Sequence, residues 1–567
     1  MRIRKFNNAV NSISSAALLL GAAGLLSRIL GILRDRLLAG HFGAGRELDI
    51  YYAAFQIPDF VYNIFLLGAA SAAIIPIFLE TKAKSEEDAK TLVRNLLGIF
   101  VLISAVIAAL TALAIPVFIG LVTPGFSYDE RSLTVVLTRI MMISPVLLGI
   151  SGIISAVTQS FRRFAVFALS PVVYNIGIIF GILVLLPAFG LSGLALGVII
   201  GAVLHLAVQL YGFFDLGFNL KMTSPRHLPE SVIKIMKLSF PRVIASSINN
   251  LTAVFLVAIS STLVAGSIAV YQFANNLGGL PIGIFGVSFA IAAFPSLSEN
   301  FIKKDAKAFF DNFYSSVRSI LFYIFPISVF FYVLRAQIVR ATLGTGKFDW
   351  GDTRLTAASL GIMTIAIFAH SLIPILIRFF YALGNTKRPL IINLFTAALT
   401  IVLALVFVNI LSAPSEFTHT LRRLMRVDDL AEVAVLGVAL AISVGALTDL
   451  VFLTIGAFRE ADLKFGGEIK KIKAWPWRDT FLMLGSSLAA GFAAFGGLRL
   501  ANRMVTLDTL LGVLLQSAVA FFIGSIVYLL VLYMFKNRET LELVGVIKRR
   551  AVAIRIFMGE MGGEGIK

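Results

Sequence analysis

Long stretches almost free of charge recur from one end of this chain to the other, and that feature excludes most folds. Residues 191–214 read LSGLALGVIIGAVLHLAVQLYGFF, and residues 509–535 are equally apolar. A helix needs about 20 such residues to cross the hydrocarbon core of a bilayer. Only helices and closed barrels satisfy every backbone polar group there. The reading is an all-α polytopic membrane protein with about 14 transmembrane helices. The spans are expected near 14–38, 50–79, 92–122, 133–160, 165–187, 191–214, 231–262, 267–297, 312–343, 355–382, 389–411, 433–458, 479–500 and 508–535.

Composition agrees. Only 14% of residues are charged and the mean hydropathy is +0.91, whereas a soluble domain carries about 25% charged residues. The chain has no cysteine, which excludes disulfides, thiolate catalysis and the common zinc sites. No HExxH and no GxxxxGK[ST] occurs, so neither a zinc protease nor an ATPase is indicated. A net charge of +18 invites a nucleic-acid partner, but the basic residues lie in short loops on the side of the N-terminus. That is the positive-inside pattern of a plasma-membrane protein with both termini cytoplasmic. The first apolar run is too long and too charged for a cleaved signal, so it is expected to be retained as a span.

One stretch breaks the apolar rule. Arg28 sits deep in the first run, with Arg34, Asp35 and Arg36 two turns later. A charge at that depth costs roughly 2.5–3.5 kcal/mol on insertion scales and usually faces a cavity or a partner. At 100° per residue, Gly24, Arg28, Gly31 and Asp35 form one stripe with Ser27 and Arg34 beside it. Leu25, Leu26, Ile29, Ile32 and Leu33 form the opposite face. The helix therefore has a lipid side and a polar side suited to a cavity wall.

An internal echo sets the architecture. Tyr52, Ala73, Pro76 and Glu80 meet Tyr271, Ala292, Pro295 and Glu299 at one constant offset. Both segments are second spans of a six-span unit, so two six-helix bundles are expected in parallel repeat, related by an axis along the membrane normal. Two C-terminal helices are left over. The domains read as 1–220, 221–460, 461–540 and a basic amphipathic cytoplasmic tail at 541–567. The external loop 412–432 reads as a short amphipathic helix on the outer surface.

These residues resemble a known family. SRILGILRDRLLAGHFGAGRELDIYYAAFQIPDF resembles the first two spans of the MurJ (MviN) lipid II flippases. PIGIFGVSFAIAAFPSLSENF resembles that family's eighth span, FYALGNTKRP its loop after span 10, and RFAVFALSPVVYNIG its fourth-to-fifth junction. The resemblance implies the fold of the multidrug/oligosaccharidyl-lipid/polysaccharide exporters. It implies an undecaprenyl-pyrophosphate-linked disaccharide peptide as substrate, moved between leaflets by alternating access. On it, Ser27, Arg28, Arg34, Asp35 and Asp49 match family site positions. The chain also departs from the family. Tyr62 and Asn63 stand where members carry a span-2 arginine, and Asn275, Asn276 and Gly279 where they carry early span-8 charges.

Each candidate has a plainer reading beside the functional one. Arg28 is a pyrophosphate ligand, by the fork geometry of guanidinium, or one half of an ion pair with Asp35 or Asp59. Asp49 is a gating acid or the N-cap of span 2. Asn275 and Asn276 offer neutral hydrogen bonds to substrate. Arg378 contacts substrate or snorkels, and Arg139 is similarly ambiguous. Asp449 with Thr448 holds Na⁺ or relays a proton, or forms an interhelical hydrogen bond. His205 and His370 titrate or simply pack.

The expected function is a flippase for a lipid-linked peptidoglycan precursor, with no enzyme chemistry and no cofactor. Na⁺, H⁺ or the membrane potential could drive it. The partners expected are membrane lipids and cell-wall synthesis proteins, not nucleic acid. The alternatives are an exporter of another undecaprenyl-linked glycan, a cation-coupled drug pump, which predicts an acidic cavity, and a non-transporting scaffold.

Overall fold

The computed structural model describes residues 13–68, 71–221, 223, 229–466, 475, 477–503 and 509–545. The remainder of the expected tail, 546–567, lies outside them. The described residues are almost entirely helical. In order they are α1 (Ile13–Phe42), α2 (Arg46–Gly68), α3 (Ser71–Lys84), α4 (Glu86–Val122), α5 (Tyr128–Met141), α6 (Ile143–Ser160), α7 (Phe164–Phe180), α8 (Leu191–Asp215), α9 (Glu230–Ser261) and α10 (Ser267–Pro281). There follow α11 (Ser288–Ile302), α12 (Ala306–Val333), α13 (Arg335–Leu343), α14 (Trp350–Thr364), α15 (Ile367–Ala382), α16 (Lys387–Ser412), α17 (Glu416–Met425), α18 (Leu436–Lys464), α19 (Trp477–Ala501) and α20 (Leu510–Met534). Five- and six-residue π-helical stretches follow α7 and join α10 to α11.

Among the described residues ten helices are long and apolar enough to span a bilayer, or eleven if α14 and α15, bent by 47°, form one span. The expected stretches 14–38 and 231–262 are helical as α1 and α9, and 50–79 falls on α2 and α3. The chain forms two compact units. One comprises Met1–Phe273, Thr342–Leu355 and Ala397–Val438; the other comprises Ala274–Ala341, Thr356–Thr396 and Ala439–Lys567.

In the first unit the core runs through Ile74, Phe78, Leu97, Ile153 and Phe213, each at most 1% exposed. Its helices close on one another where they are small. A Cβ on Gly177 would lie 2.3 Å from the Gly201 Cα, and one on Gly181 2.5 Å from the Gly197 Cα. This four-residue glycine spacing lets α7 and α8 touch backbone to backbone, the way small residues drive association where lipid removes the hydrophobic force. In the second unit the core is aromatic. Phe309, Phe310 and Phe313 of α12 pack edge-on against Phe379 of α15 at centroid distances of 4.9, 5.8 and 4.7 Å. Outward-facing Leu113 and Val117 of α4 are more than 70% exposed, as suits a lipid face.

Three helix-interior prolines, Pro58, Pro116 and Pro326, share one arrangement. A proline inside a helix leaves the carbonyl four residues earlier without its N–H partner, and in lipid no water replaces it. Pro58 frees the Ala54 carbonyl, which accepts the Thr138 hydroxyl at 3.3 Å. Pro116 frees that of Ala112, which accepts Arg139 Nε at 2.9 Å. Pro326 frees that of Phe322, which accepts the Tyr528 hydroxyl at 2.7 Å. Arg139, ambiguous in sequence, thus serves a broken helix turn. Tyr528→Phe should leave the Phe322 carbonyl buried and unpaired, costing about 1–3 kcal/mol. A thermal melt in detergent should show a lower midpoint than wild type, and an unchanged midpoint would refute the assignment.

Candidate functional site

The first unit carries the charged positions of α1. As the stripe predicts, Leu25, Leu26, Ile29 and Leu33 are 42–58% exposed, while a Cβ on Gly24 or Gly31 would meet nothing within 4 Å. The small side of α1 therefore borders open space, and Arg28 is half-buried beside it.

Arg34 pairs with its neighbour. Its Nε and Nη2 donate to Asp35 Oδ1 at 3.0 and 2.8 Å, and Asp35 is buried. Asp35, one of the two acids considered as a partner for Arg28, thus pairs with Arg34. One Asp35 oxygen accepts both donors, which fixes the guanidinium plane while leaving it 25% exposed. Tyr51 and Tyr52 lie within Coulomb range of Arg34, and so do Asp59 and Tyr174. The Tyr52 hydroxyl is buried with no hydrogen-bond partner among the described residues. The surroundings of Arg34 are therefore phenolic and anionic rather than purely cationic.

Ser27 is anchored from α7. Asn175 Nδ2 donates to the Ser27 carbonyl at 3.3 Å, to its Oγ at 3.2 Å and to the Pro171 carbonyl at 3.1 Å. Asn175 escapes the sequence reading; the one signal that marks it is an amide inside the apolar run FALSPVVYNIG. His205 on α8 shares a hydrogen bond with Ser151 Oγ at 2.8 Å and sets its ring edge-on to Tyr174. That is packing with one polar tie.

Asp49 occupies neither of the simple positions. It is 0% exposed and accepts the Gly266 N–H at 2.7 Å and the Ala269 N–H at 2.9 Å. It caps α10, a helix more than 200 residues away, rather than α2 on which it sits. The carboxylate meets the positive end of that helix dipole, with Arg46 at 3.8 Å behind it. The approach is close enough that a Cβ on Gly266, held at φ +91°, would lie 1.8 Å from the Ala44 carbonyl oxygen; only glycine fits. A second carboxylate repeats the device. Asp352 Oδ2 accepts the Ala44 N–H at 2.9 Å, just ahead of α2.

The second unit holds the remaining candidates. Asn275 and Asn276 are exposed on α10. Arg378 donates to the Pro374 carbonyl of its own helix at 3.1 Å. Thr448 likewise donates to its own helix at Val444, 2.8 Å, so it does not join Asp449. Asp449 instead accepts the Thr396 hydroxyl of α16 at 3.0 Å, the interhelical hydrogen bond of the plainer reading. Among the described residues no group of three or more acidic or imidazole side chains could hold a metal. The same unit contains a cavity of about 410 Å³ whose walls include Phe313, Tyr314, Phe368, Phe458, Trp475 and Trp477. Nearly all its lining is apolar, so it suits a hydrocarbon chain.

This architecture has relatives. A Rhizobium tropici protein named as a probable lipid II flippase is 27% identical over 486 residues, covering 83% of this chain and 84% of that protein. The solved structure of lipid II flippase MurJ in an inward closed conformation covers 91% of this chain and 98% of its own, with TM-score 0.71 and 24% identity. An inward-facing multidrug resistance MATE transporter superposes with TM-score 0.58 at 14% identity over 79% of this chain and 99% of its own, sharing fold alone. The model of the lipid II flippase MurJ family matches residues 38–496. The chain is a multi-pass inner-membrane protein and belongs to the MurJ family, a family of transporters rather than enzymes.

Proposed function

We propose that this protein moves a lipid-linked peptidoglycan precursor, lipid II, from the inner to the outer leaflet by alternating access. The observation that carries the reading is Arg34, held plane-fixed by Asp35 inside the first helix of a MurJ-family chain. With Arg28 half-buried on the same helix, two guanidiniums can fork onto pyrophosphate oxygens. The prenyl chain stays in lipid, and the 410 Å³ apolar cavity beside α19 accepts part of it. The membrane potential contributes about 2.3 kcal/mol per 100 mV for each net charge that the cycle carries across the membrane. Na⁺ or H⁺ coupling through Asp449 is the alternative drive. Both termini lie in the cytoplasm, and cell-wall synthesis proteins are the partners on the product side.

A second reading has one specific observation behind it. Tyr62 and Asn63 replace the span-2 arginine, and Asn275 and Asn276 present neutral amides where the family carries charge. An exporter of a different undecaprenyl-linked glycan fits those exchanges. Native mass spectrometry of the purified protein, offered lipid II and other undecaprenyl-linked glycans at equal concentration, separates the two. Preferential retention of lipid II is the expected result. Equal or stronger retention of another glycan would discard the peptidoglycan assignment and keep the fold.

A further inference from the structure

The loop 412–432 has no role in the transport reading, yet it is tightly organised. Ser415 caps α17 by accepting the Thr418 N–H at 3.1 Å, and Thr418, Leu421 and Met425 are buried beneath it. Arg426, at φ 61°, turns the chain back in a left-handed conformation that is uncommon for a residue with a side chain. Arg422 then pins the returning chain, donating to the carbonyls of Leu430 at 3.1 Å and Ala431 at 3.0 Å.

What this turn grips is Arg354 on the first turns of α14. Arg354 Nη1 donates to Asp429 Oδ2 at 2.7 Å, Nη2 reaches Asp429 Oδ1, and Nε donates to the Arg426 carbonyl at 3.1 Å. A fork on both carboxylate oxygens with a third bond to backbone is a far more specific arrangement than a chance surface pair. Two residues earlier on the same helix, Asp352 holds the Ala44 N–H. Just before that helix, the Lys347 N–H donates to the Gly40 carbonyl at 2.9 Å, and a Cβ on Gly346 would lie 2.2 Å from that same oxygen.

All of these residues belong to the first unit. They make a continuous polar path from the loop, through Arg354 and Asp352, to the turn between α1 and α2. We propose that residues 426–431 form a strap that, through the Arg354–Asp429 fork, holds segment 345–354 against the α1–α2 turn and sets how readily this end of the first unit opens. The inference rests on the transport reading, in which this end faces outward and must open for release. Asp429 is two-thirds exposed, so the fork adds little to folding and can break and re-form without unfolding the unit.

The absence of cysteine permits a direct test. Gly24→Cys, on the open side of α1, is introduced into the full chain in proteoliposomes, and a membrane-impermeant maleimide is added on the side of the loop. Leu424→Cys, 60% exposed on α17, reports independently which side that is. Labelling of Leu424→Cys only from the cytoplasmic side would overturn the orientation and leave the strap's effect on labelling to be read separately. Asp429→Asn and Arg354→Ala are each expected to raise the Gly24→Cys labelling rate about fivefold or more, with thermal midpoints close to wild type. The charge-swapped pair Arg354→Asp with Asp429→Arg is expected to bring the rate back toward wild type. An unchanged rate in Asp429→Asn, whose exposed site tolerates the change, would overturn the strap. So would a swapped pair that labels as fast as the single variants.

Discussion

Arg28→Ala and Arg34→Ala are each expected to abolish transport while leaving the protein folded. A hydrogen bond to a charged group contributes about 1.5–3 kcal/mol, so each loss should weaken retention of an undecaprenyl pyrophosphate lipid about tenfold to a hundredfold. The two should differ under conservative exchange. Arg34 sits in a fork that demands two donors on one face, 3.0 and 2.8 Å from Asp35 Oδ1, and lysine cannot reproduce it. Arg34→Lys should therefore remain defective, and Asp35→Asn should resemble it by loosening the guanidinium plane. Lipid retention in native mass spectrometry and flipping in proteoliposomes check both. Normal transport by Arg28→Ala with intact folding would sink the pyrophosphate role.

Asp49→Ala should combine the largest loss of stability with loss of transport. It removes the acceptor for two buried N–H groups, those of Gly266 and Ala269, each costing about 1–3 kcal/mol when left unpaired. It also removes a negative charge from the N-terminus of α10, and leaves Arg46 without the carboxylate 3.8 Å away. Asp49→Asn keeps one good acceptor and should fall between wild type and Asp49→Ala. Thermal midpoints in detergent give the order, and equal midpoints for all three would show that the cap carries no energy. A transport defect in Asp49→Asn larger than its stability loss would indicate that the cap must release during the cycle.

Much of the site is legible in the amino-acid sequence. The amphipathic split of α1 follows from a 3.6-residue period alone, and the exposed leucines opposite Arg28 lie where that period puts them. The pairing of Arg34 with Asp35 is not legible, since neighbouring side chains leave a helix about 100° apart and the helical period puts Arg28, not Arg34, on the stripe of Asp35. Arg139 and Tyr528 are not readable either. Their role depends on which proline-freed carbonyl lies across a helix interface, at Ala112 and Phe322, and that is a matter of packing.

Class and family follow from the chain read along its length, and so do the helical stretches, although of about fourteen expected spans ten or eleven are long and apolar enough among the described residues. Each depends on local quantities, namely hydropathy over about 20 residues, helical period and short ordered motifs. What the carboxylates do emerges only from how the helices pack. Asp49 could cap its own helix on sequence grounds, but it caps α10 across more than 200 residues. Asp352 reaches Ala44 over a separation of 308. Such contacts exist because helix N-termini buried in a membrane protein must find an acceptor from whatever element packs against them. No local pattern encodes which element that will be.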